Sequence, residues 1–172
     1  MKKFLVVLSA LSLMQVAAWA VKVGEAAPDF KAPSTAGRDL SLGDFAGKWL
    51  VLYFYPKSFT PGCTAESCSL RDGYQDIQDL GAAIVGVSLD SLETQQKFKA
   101  EHKLPFDLLS DEEARVAKAY DALGFGGLMA KRLTFIINPE GKVAHIVDSV
   151  KTGDHDAQVL ELLRTLQAPP AP

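Results

Sequence analysis

Cysteine is almost missing from this chain: there are two in 172 residues, at positions 63 and 68. Two thiols cannot build a disulfide scaffold or a closed four-cysteine zinc site. Histidine is scarce as well. His102, His145 and His155 lack the i, i+3 or i, i+4 pairing of a metal site, so no metal or organic cofactor is expected. Positive charge is in slight deficit, with 18 Lys and Arg against 21 Asp and Glu and a net charge of −3. A nucleic-acid partner would select a basic face, and none is expected. No apolar run after residue 20 is long enough to span a membrane. What remains is 48% apolar and 23% charged, an ordinary globular composition with enough chain for one domain and its own core.

The first twenty residues read as an address. Lys2 and Lys3 form a basic start, Phe4 to Met14 run apolar apart from two serines, and Ala18-Trp19-Ala20 has the small-x-small form of a cleavage site. This is the layout of a secretory signal peptide, residues 1–20. The alternative is a retained membrane anchor, for which the apolar core is short. The mature chain then begins at Val21. Its charge becomes −5, because Lys2 and Lys3 leave. It is expected as an exported protein of the bacterial periplasm, without stable membrane association, in a compartment where disulfides persist.

Along the mature chain, short strands or a hairpin are expected around residues 29–42. Trp49 to Tyr55, WLVLYFY, reads as a strand buried on both faces, ended by Pro56. Thr64 to Leu80 carries apolar residues at helical spacing, with Gly81 as its stop. Ala82 to Leu89 is a second buried strand, Ser91 to His102 a helix, and Phe106 to Leu109 a short strand. Asp111 to Tyr120 reads as a helix whose acidic start suits the helix dipole and is solvated. Gly124 to Gly127 is a flexible connector. Leu133 to Ile137 and Val143 to Val147 form a hairpin across Asn138-Pro139-Glu140-Gly141. Thr152 or Asp154 caps a last helix through Leu166, and residues 168–172 are a frayed tail. Early β-α alternation and a late hairpin give an α/β class: a mixed central sheet with helices on both faces, one domain over residues 21–167.

The segment Pro56 to Cys68, PKSFTPGCTAESC, concentrates the chemistry. A buried strand ends, a Pro/Gly turn follows, and Cys63 stands where a helix starts. Free N–H groups and partial positive charge at a helix start favour a thiolate, which is the form that attacks. Ligands of open α/β sheets bind beyond the carboxyl ends of strands, where this residue lies. A lone cysteine is more often a buried structural thiol. The turn and helix-start context favours the reactive reading, which needs a sulfur open to solvent. Cys68 lies five residues on, about 7.5 Å along a helix. The two sulfurs can bond only if the first turns unwind, because a disulfide needs Cα atoms within about 7 Å. A permanent bridge or an inert Cys68 is the other reading. Thr60 could bond a small oxygen-rich substrate, or serve only as a turn residue. Arg132, at the head of the strand 133–137, is either a partner for a thiolate or an exposed strand-end cation.

These residues resemble a known family. Pro56-x-x-x-Thr60-x-x-Cys63 matches the P-x-x-x-T-x-x-C signature of the peroxiredoxins. The fuller string from Tyr53 to Cys68 resembles their bacterioferritin-comigratory (Q-type) subgroup. Leu70-Arg71-Asp72, Leu108 to Asp111 and Arg132-x-Thr134-Phe135 continue the likeness, which covers roughly residues 24 to 167. The resemblance implies a thioredoxin-like fold and a thiol-dependent peroxidase acting on hydrogen peroxide and organic hydroperoxides. Cys63 would be the peroxidatic cysteine and Cys68 the resolving one. Thr60 would hold the peroxide, Pro56 would shape and shield the pocket, and Arg132 would stabilise the thiolate and orient the peroxide. It also implies an outside thioredoxin-like dithiol as reductant, and a monomer. The rivals are an exported thiol–disulfide oxidoreductase, which usually shows C-x-x-C, a copper-delivery protein of the same shape, and a non-enzymatic binding domain.

Overall fold

The computed structural model describes residues 21–169. The signal peptide expected at 1–20 and the end of the tail, 170–172, lie outside the described residues.

Among the described residues, seven strands and five α-helices follow in order. β1 (Lys31–Pro33) and β2 (Asp39–Ser41) pair antiparallel as the expected N-terminal hairpin. The central sheet holds β3 (Trp49–Phe54), β4 (Ala82–Ser88), β5 (Asp107–Ser110), β6 (Leu133–Ile137) and β7 (Val143–Val147) in the order β5-β4-β3-β6-β7. β3, β4 and β5 run parallel, whereas β6 pairs antiparallel with both β3 and β7. The mixed sheet expected from the sequence is therefore present.

Period-2 alternation in β3 decides what lies on each face. Val51, Tyr53 and Tyr55 join Cys63, Leu70, Ile77, Phe98, Val159 and Leu163. These residues belong to α1 (Pro61–Asp72), α2 (Tyr74–Asp79), α3 (Leu92–Glu101) and α5 (His155–Gln167). Leu50, Leu52 and Phe54 point the other way. They meet Phe30, Ala32 and Leu40 of the hairpin region, and Val116, Ala117 and Tyr120 in and after α4 (Arg115–Ala119). With both faces covered, a continuous apolar run is what β3 requires.

Two expectations need correction. The single helix expected over 64–80 is two, broken at Gly73. A Cβ on Gly73 would lie 2.5 Å from Asp156 Cβ, so α5 packs against bare backbone there. The expected helix 111–120 shortens to α4, and its acidic start is not solvated throughout. Asp111 is 4% exposed and accepts from the Val116 and Ala117 N–H groups at 3.1 and 2.8 Å. It caps α4 from outside, because the residue preceding the helix, Ala114, is left-handed (φ 54°) and has no side chain to do so. At α5, Asp154 holds the cap position but makes no side-chain cap bond.

Candidate active site

β3 delivers the chain to the site. Its last turn outward, Pro56 to Thr60, is tied back at two points. The Ser58 N–H donates to Asp90 Oδ2 at 2.7 Å, just past the end of β4. The Thr60 hydroxyl donates to the Lys57 carbonyl at 2.8 Å. Between them Phe59 holds φ 65°, a conformation that costs a non-glycine residue of order 1 kcal/mol. Its ring leans edge-on against Phe98. Thr60 then holds the cap position of α1 without a side-chain cap bond, Pro61 is the helix's first residue, and Cys63 its third. Proline suits the first position because its missing N–H has no helical partner to lose. The N–H groups of Gly62 and Cys63 lie in the first turn, where the helix supplies no acceptor for them.

Arg132, immediately ahead of β6, reaches this helix start. Its Nη2 lies 3.3 Å from Cys63 Sγ, and its Nη1 donates to Glu66 Oε2. The approach depends on Gly62, whose missing Cβ would sit 3.3 Å from the same Nη2. The structure thus brings Arg132 to the Cys63 sulfur and does not leave it an exposed strand-end cation. Pro56 is half-buried beside this loop. Cys68 lies further along α1, half-buried, and both cysteines are free thiols. A continuous helix holds the two sulfurs apart, as the five-residue spacing requires.

One expectation fails here. The reactive sulfur was expected to be open to solvent, yet Cys63 is 1% exposed. Cys63 lies in the cluster with Val51, Tyr53 and Tyr55, and the guanidinium lies against its Sγ and against Gly62. Reaching the sulfur therefore needs a small ligand and a slight yielding of the first turn of α1.

Residues 23–146 match the AhpC/TSA family. Peroxiredoxin Bcp of Bacillus subtilis is 41% identical over 152 residues, 85% of this chain and 97% of that protein. The chain belongs to the peroxiredoxins. Among solved structures, peroxidoxin BcpB of Mycobacterium tuberculosis superposes with a TM-score of 0.79 at 31% identity, covering 86% of this chain and 99% of the other. The bacterioferritin comigratory protein of Xanthomonas campestris, studied for its alkyl peroxide reduction activity, gives a TM-score of 0.76 at 33% identity over 84% and 96%. The fold is thus thioredoxin-like, and the protein is a thiol peroxidase.

In this peroxiredoxin the structure adds residues that the sequence did not single out. Glu66 is fully buried one turn beyond Cys63, and its Oε1 has no hydrogen-bond partner. His155, at the start of α5, places Nε2 3.9 Å from that oxygen and 2.9 Å from Thr134 Oγ1 on β6. Burial pushes the Glu66 carboxyl up to about 7, against the pull of Arg132. Burial likewise pushes His155 down to about 4, so it is neutral at physiological pH. A signal for Glu66 existed, since it is the only carboxylate between Pro61 and Leu70. No signal existed for His155, which comes from 89 residues downstream of Glu66.

The arrangement shares one cation between two sulfur- and oxygen-centred partners. When Glu66 holds a proton, the charge of Arg132 is left to the Cys63 sulfur. This has a consequence for stability. Glu66 ionises near 4.5 when exposed and about 7 when folded. The unfolded chain thus releases the proton first, and the group lowers stability progressively as pH rises from about 4.5 to about 7, levelling off above. Glu66→Gln is expected to be more stable than wild type at about pH 8, by of order 2 kcal/mol, with the gain vanishing below about pH 4.5. Urea denaturation at the two pH values checks it, and an equal gain at both would refute the assignment.

Proposed function

We propose that Cys63 is the peroxidatic cysteine of this thiol peroxidase and Cys68 its resolving cysteine, acting within one chain. The observation that carries the reading is the contact of Arg132 Nη2 with Cys63 Sγ at the start of α1. The thiolate attacks the terminal oxygen of a hydroperoxide. An S–O bond forms, the O–O bond breaks, and the departing oxygen takes a proton to leave as water or an alcohol. Arg132 and the first-turn N–H groups are the donors that meet the charge developing on the two oxygens, joined by the Thr60 hydroxyl as it turns from the Lys57 carbonyl. Pro56 shields the pocket. Cys63 is left as a sulfenic acid.

The start of α1 then opens, the Cys68 thiolate attacks the oxidised sulfur, and a disulfide forms as hydroxide leaves and is protonated. An outside thioredoxin-like dithiol returns both sulfurs to thiols by exchange. Hydrogen peroxide and organic hydroperoxides both fit this chemistry, since only the terminal oxygen enters it. The alkyl peroxide reduction studied in the Xanthomonas relative supports the second class. The Lys2-Lys3 start and Ala18-Trp19-Ala20 support export to the periplasm. There the protein would work as a monomer without membrane association.

Mass spectrometry tests this reading. Reduced protein given one equivalent of peroxide should show a 63–68 linkage within one chain that begins at Val21. Cys68→Ser should complete the first turnover and then hold Cys63 as sulfenic acid. If the first turnover were lost with Cys68 and survived without Cys63, the roles would be reversed.

A further inference from the structure

Opening the helix leaves a question: which half of α1 moves, and what readies the second sulfur. The far half is fixed at several points. Ser67 Oγ and the Tyr53 hydroxyl are 3.0 Å apart under the sheet. Ser69 Oγ donates to Asp156 Oδ1 at 2.6 Å and accepts from the Asp156 N–H at 3.0 Å. Gly73 has α5 against its backbone. Arg71 supplies the remaining tie. Its Nη1 donates to the His102 carbonyl at the end of α3 at 3.0 Å, and the same nitrogen stands 3.6 Å from Cys68 Sγ. Asp72 occupies the other edge of the guanidinium at 2.8 Å. In the first turns, by contrast, the side-chain hydrogen bonds from another element all come from one residue, Arg132, at Cys63 and Glu66. The oxidised Cys63 therefore travels, and Cys68 waits in place with a cation against it.

We propose that Arg71 is a catalytic residue of the resolving step, its guanidinium, anchored on the end of α3, holding and charging the Cys68 sulfur for attack on oxidised Cys63. The proposal rests on the roles given to Cys63 and Cys68 above. In the step, the Cys68 thiolate donates an electron pair to the sulfenic sulfur. The S–S bond forms, the S–O bond breaks, and hydroxide departs as water, taking up through solvent the proton that the Cys68 thiol released. Sγ of Cys68 is oxidised and that of Cys63 reduced. The other charged and titratable groups around this end of α1 are committed elsewhere. Asp72 is bound to the same guanidinium and Asp156 to Ser69, while the His102 ring lies against Phe98 and Phe59.

A cation touching a thiol raises the thiolate share at neutral pH and makes each thiolate a weaker nucleophile, the second effect cancelling about half of the first. At alkaline pH only the weakening remains. This crossover separates chemistry from tethering. Rapid-quench mass spectrometry should follow closure of the disulfide after one equivalent of hydrogen peroxide in wild type, Arg71→Gln and Arg71→Lys. At about pH 7, closure should slow by roughly three- to tenfold in Arg71→Gln, with Arg71→Lys between. At about pH 9.5, Arg71→Gln should close at least as fast as wild type. Formation of the sulfenic acid beforehand dates the start of the step in each variant. Equal closure near neutrality overturns the proposal, and so does equal slowing at both pH values, the mark of a structural tie alone.

Should Arg71→Gln fail to fold, alkylation of Cys68 by iodoacetamide in Cys63→Ser, with and without Arg71→Lys, gives the same comparison. The rate near neutrality, as a share of the alkaline rate, should fall with Arg71→Lys, and equal shares overturn the proposal. A wild type that forms no 63–68 disulfide defeats the roles of the two cysteines. A wild type that forms it, beside an Arg71→Gln that closes identically, defeats only the role of Arg71.

Discussion

Cys63→Ser is expected to abolish peroxide reduction, by at least about 10³-fold in a single turnover, while leaving the fold intact. The chemistry is lost because a serine hydroxyl stays protonated where a thiol ionises, and an alcohol does not attack a peroxide oxygen. The fold survives because the change is nearly isosteric. The new hydroxyl can still accept from Arg132 Nη2, the group now 3.3 Å from the sulfur, so the guanidinium keeps a partner there. Peroxide consumption measured beside circular dichroism and thermal melting separates the two. A serine variant that consumed peroxide at the wild-type rate would move the reaction to Cys68 or away from thiols altogether. The burial of Cys63 at 1% exposed sharpens the expectation. A bulky alkylating reagent should label wild-type Cys63 more slowly than hydrogen peroxide oxidises it, since a buried sulfur admits a small reagent first.

Why was so much of this site visible in the chain, and why was the rest not? A turn between a buried strand and a helix is a local event. Pro56, Thr60, Pro61, Gly62 and Cys63 are consecutive or nearly so, and each has a conformational reason to be there. β3 and the β6–β7 hairpin were legible for the same reason: a continuous run of β-favouring residues and a turn tetrapeptide act within a few residues. What escaped is what tertiary contact decides. Gly73 ends a helix because α5 arrives against it, and nothing near Gly73 announces α5. Asp111 looks like a solvated acid until α4 presents its unpaired N–H groups. Arg132 could be read either way, because the sequence does not say which helix start a strand-head cation will meet. Glu66 is the only carboxylate between Pro61 and Leu70, yet nothing near it in the chain marks it as buried. It is buried because Arg132 and His155 converge on it from 66 and 89 residues away. The openness expected of Cys63 failed for a related reason: tertiary packing buries it beside Val51, Tyr53 and Tyr55, with Arg132 arriving against its sulfur from 69 residues away.

Arg132→Met is expected to lower kcat/KM for hydrogen peroxide by about 10²- to 10³-fold, the usual loss when one donor to a developing anion is removed. Arg132→Lys should recover little. The guanidinium spans two partners at once, Nη1 on Glu66 and Nη2 on Cys63, and a single ammonium cannot hold both. The same substitution also removes the cation from a fully buried carboxylate, so loss of activity alone would not distinguish catalysis from damage to the fold. Glu66 resolves this. Without Arg132 it becomes still harder to ionise, because the largest influence raising it is burial and Arg132 is the one opposing it. The cost to stability in Arg132→Met should therefore be small at low pH, where the acid is protonated in wild type too, and should grow as pH rises through about 7. Adding Glu66→Gln should cancel that pH-dependent loss, since no buried charge is left to strand. If Arg132 acts on the reaction, Glu66→Gln/Arg132→Met regains wild-type stability at about pH 8 and remains as slow a peroxidase as Arg132→Met. Recovery of activity along with stability would reduce Arg132 to a counter-ion for Glu66 and leave the helix start as the sole support of the Cys63 thiolate.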